Sequence, residues 1–467
     1  MTCKVRFSEY FDITITPQDD WFDPVLPVDT ELFIDPFLVF AYEKDHFVGS
    51  RGHVDDFYDC VQAKVLSSGG SSRSPSSAKA VDALHCPEVA DLCLGYTAQG
   101  IMGAGIGRVL AQRIVRRMRS IPTHPHGLFG LLPLVSGIAD DRISDATACL
   151  LREKLIKYTQ KVCKRHRVKM SKAPFKWGYY DTARQKWMPL KAELPHNPFN
   201  KKPILLVPRR YLHPRLAIEL YDFWDYCREH HDAKVREMFG SSANRRPTKA
   251  QLIKFATKHP KVWELYLDDK TKSPPQQYDF DRDPMGVVRW YDSTAKYCHQ
   301  NPRRFKVNSE PLLRQAIDRM TPMFVDYIHN HQGWEMLYSD TEDPLPEKAS
   351  RLLFLGTIMH CCAANKIRIS REANIGRRTV EFTSPTGPQI RALLLVKFAR
   401  NTKFWNSLER QLAKLLSKEK AELIRVMVIL HSDRDLERHT RICDAVRDVK
   451  ESSGYKIDVV WVNGRPR

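Results

Sequence analysis

The sequence predicts an α/β multidomain protein: an N-terminal mixed α/β domain, a helical middle and an orderly C-terminal α-β-β-β-α-β domain. Three observations carry this expectation. The chain has 467 residues, more than one ordinary hydrophobic core takes up. With 42% hydrophobic and 28% charged residues, its composition is that of globular rather than disordered or fibrous chains. After residue 345, helical and strand periodicities alternate regularly, and apolar strands set between helices imply a sheet covered on both faces. The expected divisions are residues 1–270, a linker and helical region over 271–340, and 341–467.

In the first division, 32–39 reads as a short buried strand interrupted by Asp35-Pro36. The serine- and glycine-rich stretch 67–78 reads as a flexible loop within the domain. A glycine-rich loop over 100–107 precedes a helix at 108–120 that carries Arg108, Arg113, Arg116, Arg117 and Arg119 without an acidic residue. One long helix is expected over 143–166, with Leu151, Leu155, Tyr158 and Val162 on one face. Its C-terminal half is basic through Lys161, Lys164 and Arg165, which suits the helix dipole. Residues 175–180 and 186–190 flank a turn like a hairpin, 204–207 adds a strand, and helices follow from 215 to about 266. The stretch 270–284, rich in proline and charge, reads as an inter-domain linker, and 311–329 as a helix.

The C-terminal elements follow in order. Residues 347–366 form a helix and 366–370 a short strand. Strands at 378–383 and 390–398 are joined by the turn Ser384-Pro-Thr-Gly-Pro388. A helix at 403–417, a strand at 424–430, a helix at 434–449 and a strand at 456–462 complete the domain.

On these elements sit Thr379-Val-Glu-Phe382, Leu395-Val-Lys397, Leu408-Glu-Arg-Gln411, Glu347 and Arg371-Glu372-Ala-Asn374-Ile-Gly376. Together they resemble the PD-(D/E)XK nuclease superfamily, over about the last 120 residues, and the resemblance implies a restriction-endonuclease-like fold. In that family an acidic residue late in the second strand and an E-x-K triplet in the third hold Mg²⁺ at the scissile phosphate, where metal and lysine stabilise the attacking water. The resemblance therefore implies catalytic roles for Glu381, Lys397, Glu347 and Gln411, with Glu381 and Glu347 as metal ligands. Leu395 stands where a metal-binding glutamate is expected. Leucine cannot ligate a metal, so a nuclease-dead binding domain, a site rebuilt with Glu347, Glu372 or Glu381, and catalysis elsewhere in the chain are the open explanations. Mg²⁺ is the expected cofactor if the site is active, and none otherwise. The approach to the second strand resembles that of bacterial nuclease-like proteins associated with phage defence or mobile elements.

The formal net charge of +19 favours a polyanionic partner, with nucleic acid the commonest and DNA expected ahead of RNA. Arg108, Arg113, Arg116, Arg117, Lys161, Lys164 and Arg165 are the expected contacts. No apolar run approaches the roughly 20 residues of a bilayer span, and neither a signal peptide nor a basic amphipathic anchor is recognisable. A cytoplasmic protein without a membrane partner is expected, with a partner protein of a multi-gene system as a further expectation. The eleven cysteines contain no C-x-x-C pair, so buried thiols are expected rather than zinc or redox motifs. His124-Pro-His126 and His329-Asn-His331 read as loop histidines rather than ligands.

Three further features have competing readings. Residues 103–107 lack the Gly-Lys-Ser/Thr ending of a phosphate-binding P-loop, leaving a turn or a backbone-phosphate contact. Asp29, Asp35, Asp140, Asp141 and Asp145 suit helix caps and salt bridges, or a second metal site. The aromatics Phe175, Trp177, Tyr179, Tyr180 and Trp187, interleaved with lysines, suit a hairpin core or stacking on unpaired bases. The expected function is nucleic-acid binding through a basic N-terminal domain and a degenerate nuclease-like domain, in defence against foreign DNA. The alternatives are an active endonuclease with a rearranged acidic site and a basic subunit that binds an acidic protein.

Overall fold

The computed structural model of the chain describes residues 5–27, 29–87, 89–95, 105–121, 126–240, 246–273, 275–339, 342–369, 379–416 and 421–466. Two compact units result, one built from Arg6–Tyr96 and Gly100–Tyr278, the other chiefly from Asp279–Arg467. The division falls inside the proline- and charge-rich stretch 270–284, and the helix expected at 311–329 belongs to the C-terminal unit. No helix among the described residues is long and apolar enough to cross a membrane.

The N-terminal unit is mostly helical. Its one substantial pair of strands is the hairpin Ser171–Asp181 with Lys186–Leu194, where Gln185 takes a positive φ of 53° in the turn. Tyr180 packs edge-on to Phe57, with ring centroids 4.8 Å apart, and Trp187 meets it edge-on at 5.6 Å. Tyr180 is therefore core, and Trp187 is half-buried against it. Elsewhere the expected pattern is corrected. Only Phe33–Ile34 of the 32–39 stretch is strand, paired with Leu212–His213. Pro36 then opens the helix Pro36–Ala41, and Asp35 caps it by accepting from the Phe37 N–H. Proline at the first helical position loses no intrahelical bond, so it starts a helix here rather than interrupting a strand.

The helix expected over 143–166 is two, Asp140–Leu150 and Arg152–Arg165, parted at Leu151. Both bury apolar faces, which is why the apolar rhythm runs on across the break. Residues 204–207 are buried but form no ladder: Leu205 donates to the Asp91 carbonyl and Leu206 to the Thr159 hydroxyl. A chain whose amides are satisfied by loops and side chains needs no neighbouring strand. The serine stretch 67–78 is part helix, because Ser74 caps Pro75–Ala83 through the Ser77 N–H.

In the C-terminal unit, helices α1 (Arg289–Gln300), α2 (Glu310–Asn330) and α3 (Glu347–Ala364) precede strands β1 (Arg368–Ile369), β2 (Thr379–Thr383) and β3 (Gln389–Phe398). Then come α4 (Thr402–Trp405), α5 (Leu408–Leu416), β4 (Leu423–Leu430), α6 (Asp433–Leu436), α7 (His439–Ser453) and β5 (Ile457–Asn463). The five strands form one mixed sheet in the order β1-β2-β3-β4-β5. β2 is antiparallel to both neighbours, while β3, β4 and β5 run parallel.

Side chains alternate across a strand, and both faces of the sheet are covered. Leu393 and Leu395 of β3 and Ile424, Val426 and Val428 of β4 face α4, α5 and α7 in one apolar cluster. The opposite face meets α2 and α3. There the buried Arg425 of β4 reaches Thr321 and Asp318 of α2, each at 2.9 Å, and Asp458 of β5 at 3.3 Å. Helix α1 follows the expected linker 270–284 and lies within the region 271–340 expected to be linker and helices. Its start is fixed by Asp283, fully buried, whose carboxylate accepts from the N–H groups of Val287, Val288 and Arg289. Helix α1 crosses α3 at Gly356, where a Cβ would fall against the Thr294 side chain and 2.9 Å from the Trp290 ring.

Candidate functional site

The carboxyl ends of β3 and β4 carry the polar groups of the C-terminal unit that sequence and geometry single out together. The run Ala392–Val396 is apolar and wholly buried, and Leu395 is 0% exposed among Trp405, Leu412, Val426 and Ile442. Two residues on, Lys397 emerges at the end of the strand. Its Nζ lies 2.6 Å from Oε1 of Glu347, at the first position of α3, and 4.8 Å from the centre of the Phe404 ring. The other Glu347 oxygen accepts from the Phe398 N–H and the Asn401 side-chain amide, each at 3.1 Å. Both Glu347 oxygens are thus engaged, and the lysine charge is matched.

This arrangement does not fit Mg²⁺. That ion needs several oxygen ligands in octahedral geometry. The lysine end of β3 offers one carboxylate, already bonded, and a leucine in place of a second. Among the described residues no group of three His, Cys, Asp or Glu side chains is placed to hold a metal ion.

Glu381 is not brought to Lys397. The antiparallel register sets Glu381 opposite Arg391, whose Nε it meets at 3.1 Å. Glu381 shares the sheet face of Lys397 but lies level with a residue six positions earlier on β3, roughly 20 Å along the strand. The implied joint catalytic role of Glu381 and Lys397 is therefore corrected: the pairing register, not the motif, fixes which end of the strand each residue occupies. Residues 370–378, Glu372 among them, lie outside the described residues. Gln411 sits half-buried on α5, and none of the hydrogen bonds of the Lys397 group involves it.

A second group at the same strand ends carried no motif. His431 follows the last residue of β4, is 8% exposed, and has no protein hydrogen-bond partner at either ring nitrogen. Its ring lies 4.4 Å from that of Phe398 and 5.7 Å from that of Tyr338, centroid to centroid. The Tyr338 hydroxyl is likewise buried without a partner. Burial and then the Arg400 charge hold His431 down to about 4, so the ring is neutral at neutral pH. Burial lifts Tyr338 to about 12. A histidine directly after an apolar parallel strand is the one sequence signal that points here, since ligands of open α/β sheets gather at carboxyl strand ends.

The basic residues of the N-terminal unit are largely tied into its fold. Arg113 donates to the Ser136 carbonyl, and Arg117 to the Leu134 carbonyl and the Thr257 hydroxyl. Arg108 faces Asp82 at 3.5 Å, Lys161 faces Asp45 at 3.7 Å, and Arg165 meets Asp19 at 3.2 Å. Arg116 and Lys164 stand exposed on their helices.

The aspartates expected as caps or ligands mostly serve the backbone. Asp145 accepts from Val89 and Gly105, the latter in the glycine loop, of which 100–104 lies outside the described residues. Asp35 accepts from Phe37 and Ala217, and burial pushes it up to about 6. Asp140 and Asp141 open the helix Asp140–Leu150. His126 pairs with Asp268, and His329 accepts from the Asn463 N–H. His124 lies outside the described residues. The ten described cysteines are free thiols.

No curated protein and no solved structure matches the chain. Residues 12–219, most of the N-terminal unit, match a family model described as a domain of unknown function (DUF8370). Residues 313–433 match a second one, a domain of unknown function (DUF8371), and this stretch contains Tyr338, Glu347, Lys397, Arg400 and His431.

Proposed function

We propose that the protein binds nucleic acid, DNA ahead of RNA, and that its C-terminal unit is a PD-(D/E)XK-type nuclease-like domain that no longer cleaves. The observation that carries the reading is the pair Leu395 and Lys397. An apolar side chain is locked into the core where such a nuclease needs a metal ligand, while the lysine is retained at the strand end with the first-helix acid Glu347 against it. Support comes also from the order of elements, the antiparallel second and third strands and helices on both faces of the sheet. The +19 charge supplies a reason for a polyanionic partner. A role in defence against foreign DNA follows from the resemblance alone.

Binding of duplex DNA, followed by fluorescence anisotropy between about 50 and 200 mM salt, tests the first half. If about six phosphates are neutralised, log K falls against log salt with a slope of about −5. Affinity indifferent to salt would favour an acidic protein partner instead. The second half is tested by nicking of supercoiled DNA, and cleavage of RNA, with Mg²⁺ or Mn²⁺. No cleavage is expected. Cleavage abolished by Glu347→Ala would replace this reading with an active, rearranged site.

A further inference from the structure

We propose that His431, Tyr338 and Arg400 form a pocket that receives a phosphate monoester, carried on a nucleic-acid end or a mononucleotide. The choice of a nucleotide phosphate rests on the nucleic-acid reading above.

The argument starts from unsatisfied groups. Buried polar side-chain atoms in folded proteins are nearly always hydrogen-bonded, and an exception asks for a cause. Here two exceptions from separate elements meet. Both ring nitrogens of His431 and the Tyr338 hydroxyl are buried without protein partners, each residue is 8% exposed, and the rings lie 5.7 Å apart. Arg400 supplies the third group. Its guanidinium is centred 5.0 Å from the Phe398 ring, is exposed, and makes no ion pair or side-chain hydrogen bond among the described residues. The same Phe398 ring contacts His431 at 4.4 Å, so rim and floor share one wall.

The chemistry of these groups selects the ligand. The neutral imidazole offers one N–H donor and one acceptor nitrogen, and the phenol offers an O–H. A guanidinium with no carboxylate partner favours an anion. Asp435 also faces this place, with one oxygen accepting the His431 backbone N–H at 2.8 Å, and it disfavours a multiply charged ligand. A phosphate monoester bound as its monoanion, the form that prevails below its second pKa of about 6, meets all four conditions. Its oxygens accept from Arg400, Tyr338 and the imidazole N–H, and its P–OH donates to the remaining nitrogen or to Asp435. A metal ion is disfavoured, since no three ligating side chains converge among the described residues. The location, at the carboxyl ends of parallel strands, is where α/β sheets hold ligands.

The test uses the full chain and two oligonucleotides of one sequence, with a 5′-phosphate or a 5′-hydroxyl. A nucleoside 5′-monophosphate, its nucleoside and inorganic phosphate serve as small probes in thermal shift. The 5′-phosphate is expected to tighten oligonucleotide binding roughly tenfold through charge-assisted bonds, and Arg400→Ala and Tyr338→Phe are expected to erase the difference. Without ligand, Tyr338→Phe should melt no lower than wild type, because it deletes a hydroxyl that has no protein partner. That control separates lost binding from lost folding. If the mononucleotide raises the melting temperature while the end of the oligonucleotide has no effect, the pocket stands and its ligand is the free nucleotide. Equal binding of both oligonucleotides, with no shift from monophosphate or phosphate, overturns the pocket. Salt-sensitive binding of the hydroxyl-ended DNA would then leave the nucleic-acid reading intact. Loss of all DNA binding, with a monophosphate shift abolished by the two variants, would instead sustain the pocket and sink that reading.

Discussion

Replacing Leu395 by glutamate introduces a carboxylate where the proposed nuclease-like reading expects a metal ligand, and the structure sets the cost. Leu395 is fully buried among α4, α5, α7 and the sheet. The change forfeits about 2 kcal/mol of apolar burial and takes a carboxylate out of water, at an effective cost of several kcal/mol. Lys397 lies on the same face, roughly 7 Å along the strand, but its ammonium is already held by Glu347 at 2.6 Å. We therefore expect Leu395→Glu to cost about 5 kcal/mol or more at neutral pH, comparable with the whole stability of many domains. Leu395→Ala, which leaves only a cavity, should cost about 3 kcal/mol. The gap between them reports the charge. The introduced carboxyl has a folded-state pKa raised above its unfolded value, so the folded state holds more protons. Stability of the variant is then lost as pH rises, by up to about 1.4 kcal/mol per unit above its unfolded pKa near 4.3. Urea unfolding at pH 5 and pH 7.5, followed by tryptophan fluorescence, measures both effects, and Trp405 sits in the affected cluster. A glutamate variant no less stable than the alanine variant at pH 7.5, and indifferent to pH, would refute the reasoning. It would mean that the carboxylate reaches solvent or a cation, and that the position remains open to metal chemistry.

Glu347→Ala should destabilise the C-terminal unit by about 3 kcal/mol, because it strands Lys397, the Phe398 N–H and Asn401 together. A double-mutant cycle with Lys397→Met is expected to give a coupling of about 1–2 kcal/mol, read from chemical denaturation. Asp35 is pushed up to about 6 by burial, above its unfolded value, so its contribution to stability is lost as pH rises from about 4 to 6. Asp35→Asn should remove that pH-dependent part, with Oδ1 still available as a cap, as unfolding curves across this window would show. Gly356→Ala should cost about 1–3 kcal/mol by wedging α1 from α3, and an unchanged melting temperature would contradict the close helix crossing.

The sequence alone determined the helices at 108–120 and 311–329, the hairpin around 181–186 and the order of the C-terminal strands. These follow from local periodicity and turn chemistry, which need only neighbouring residues to be read. It also marked Leu395 as a residue that cannot ligate a metal where the resemblance expects a glutamate. What it left open depended on partners distant in the chain. Helix Asp140–Leu150 and its successor share one apolar rhythm across a break, because both pack on the same core. Asp35 reads as a strand interruption until its Ala217 partner, far along the chain, shows it to be a buried cap. Glu381 and Lys397 occupy adjacent strands and one face, yet the β2–β3 register carries them to opposite ends. Register is a property of the assembled sheet, and no residue in either strand announces it. His431 and Tyr338 belong to no motif, and their meaning arises only when the fold buries both without giving either a partner. Patterning over a few residues sets the elements, whereas pairing register and the burial of polar groups are decided by tertiary packing, because both depend on which distant surfaces meet.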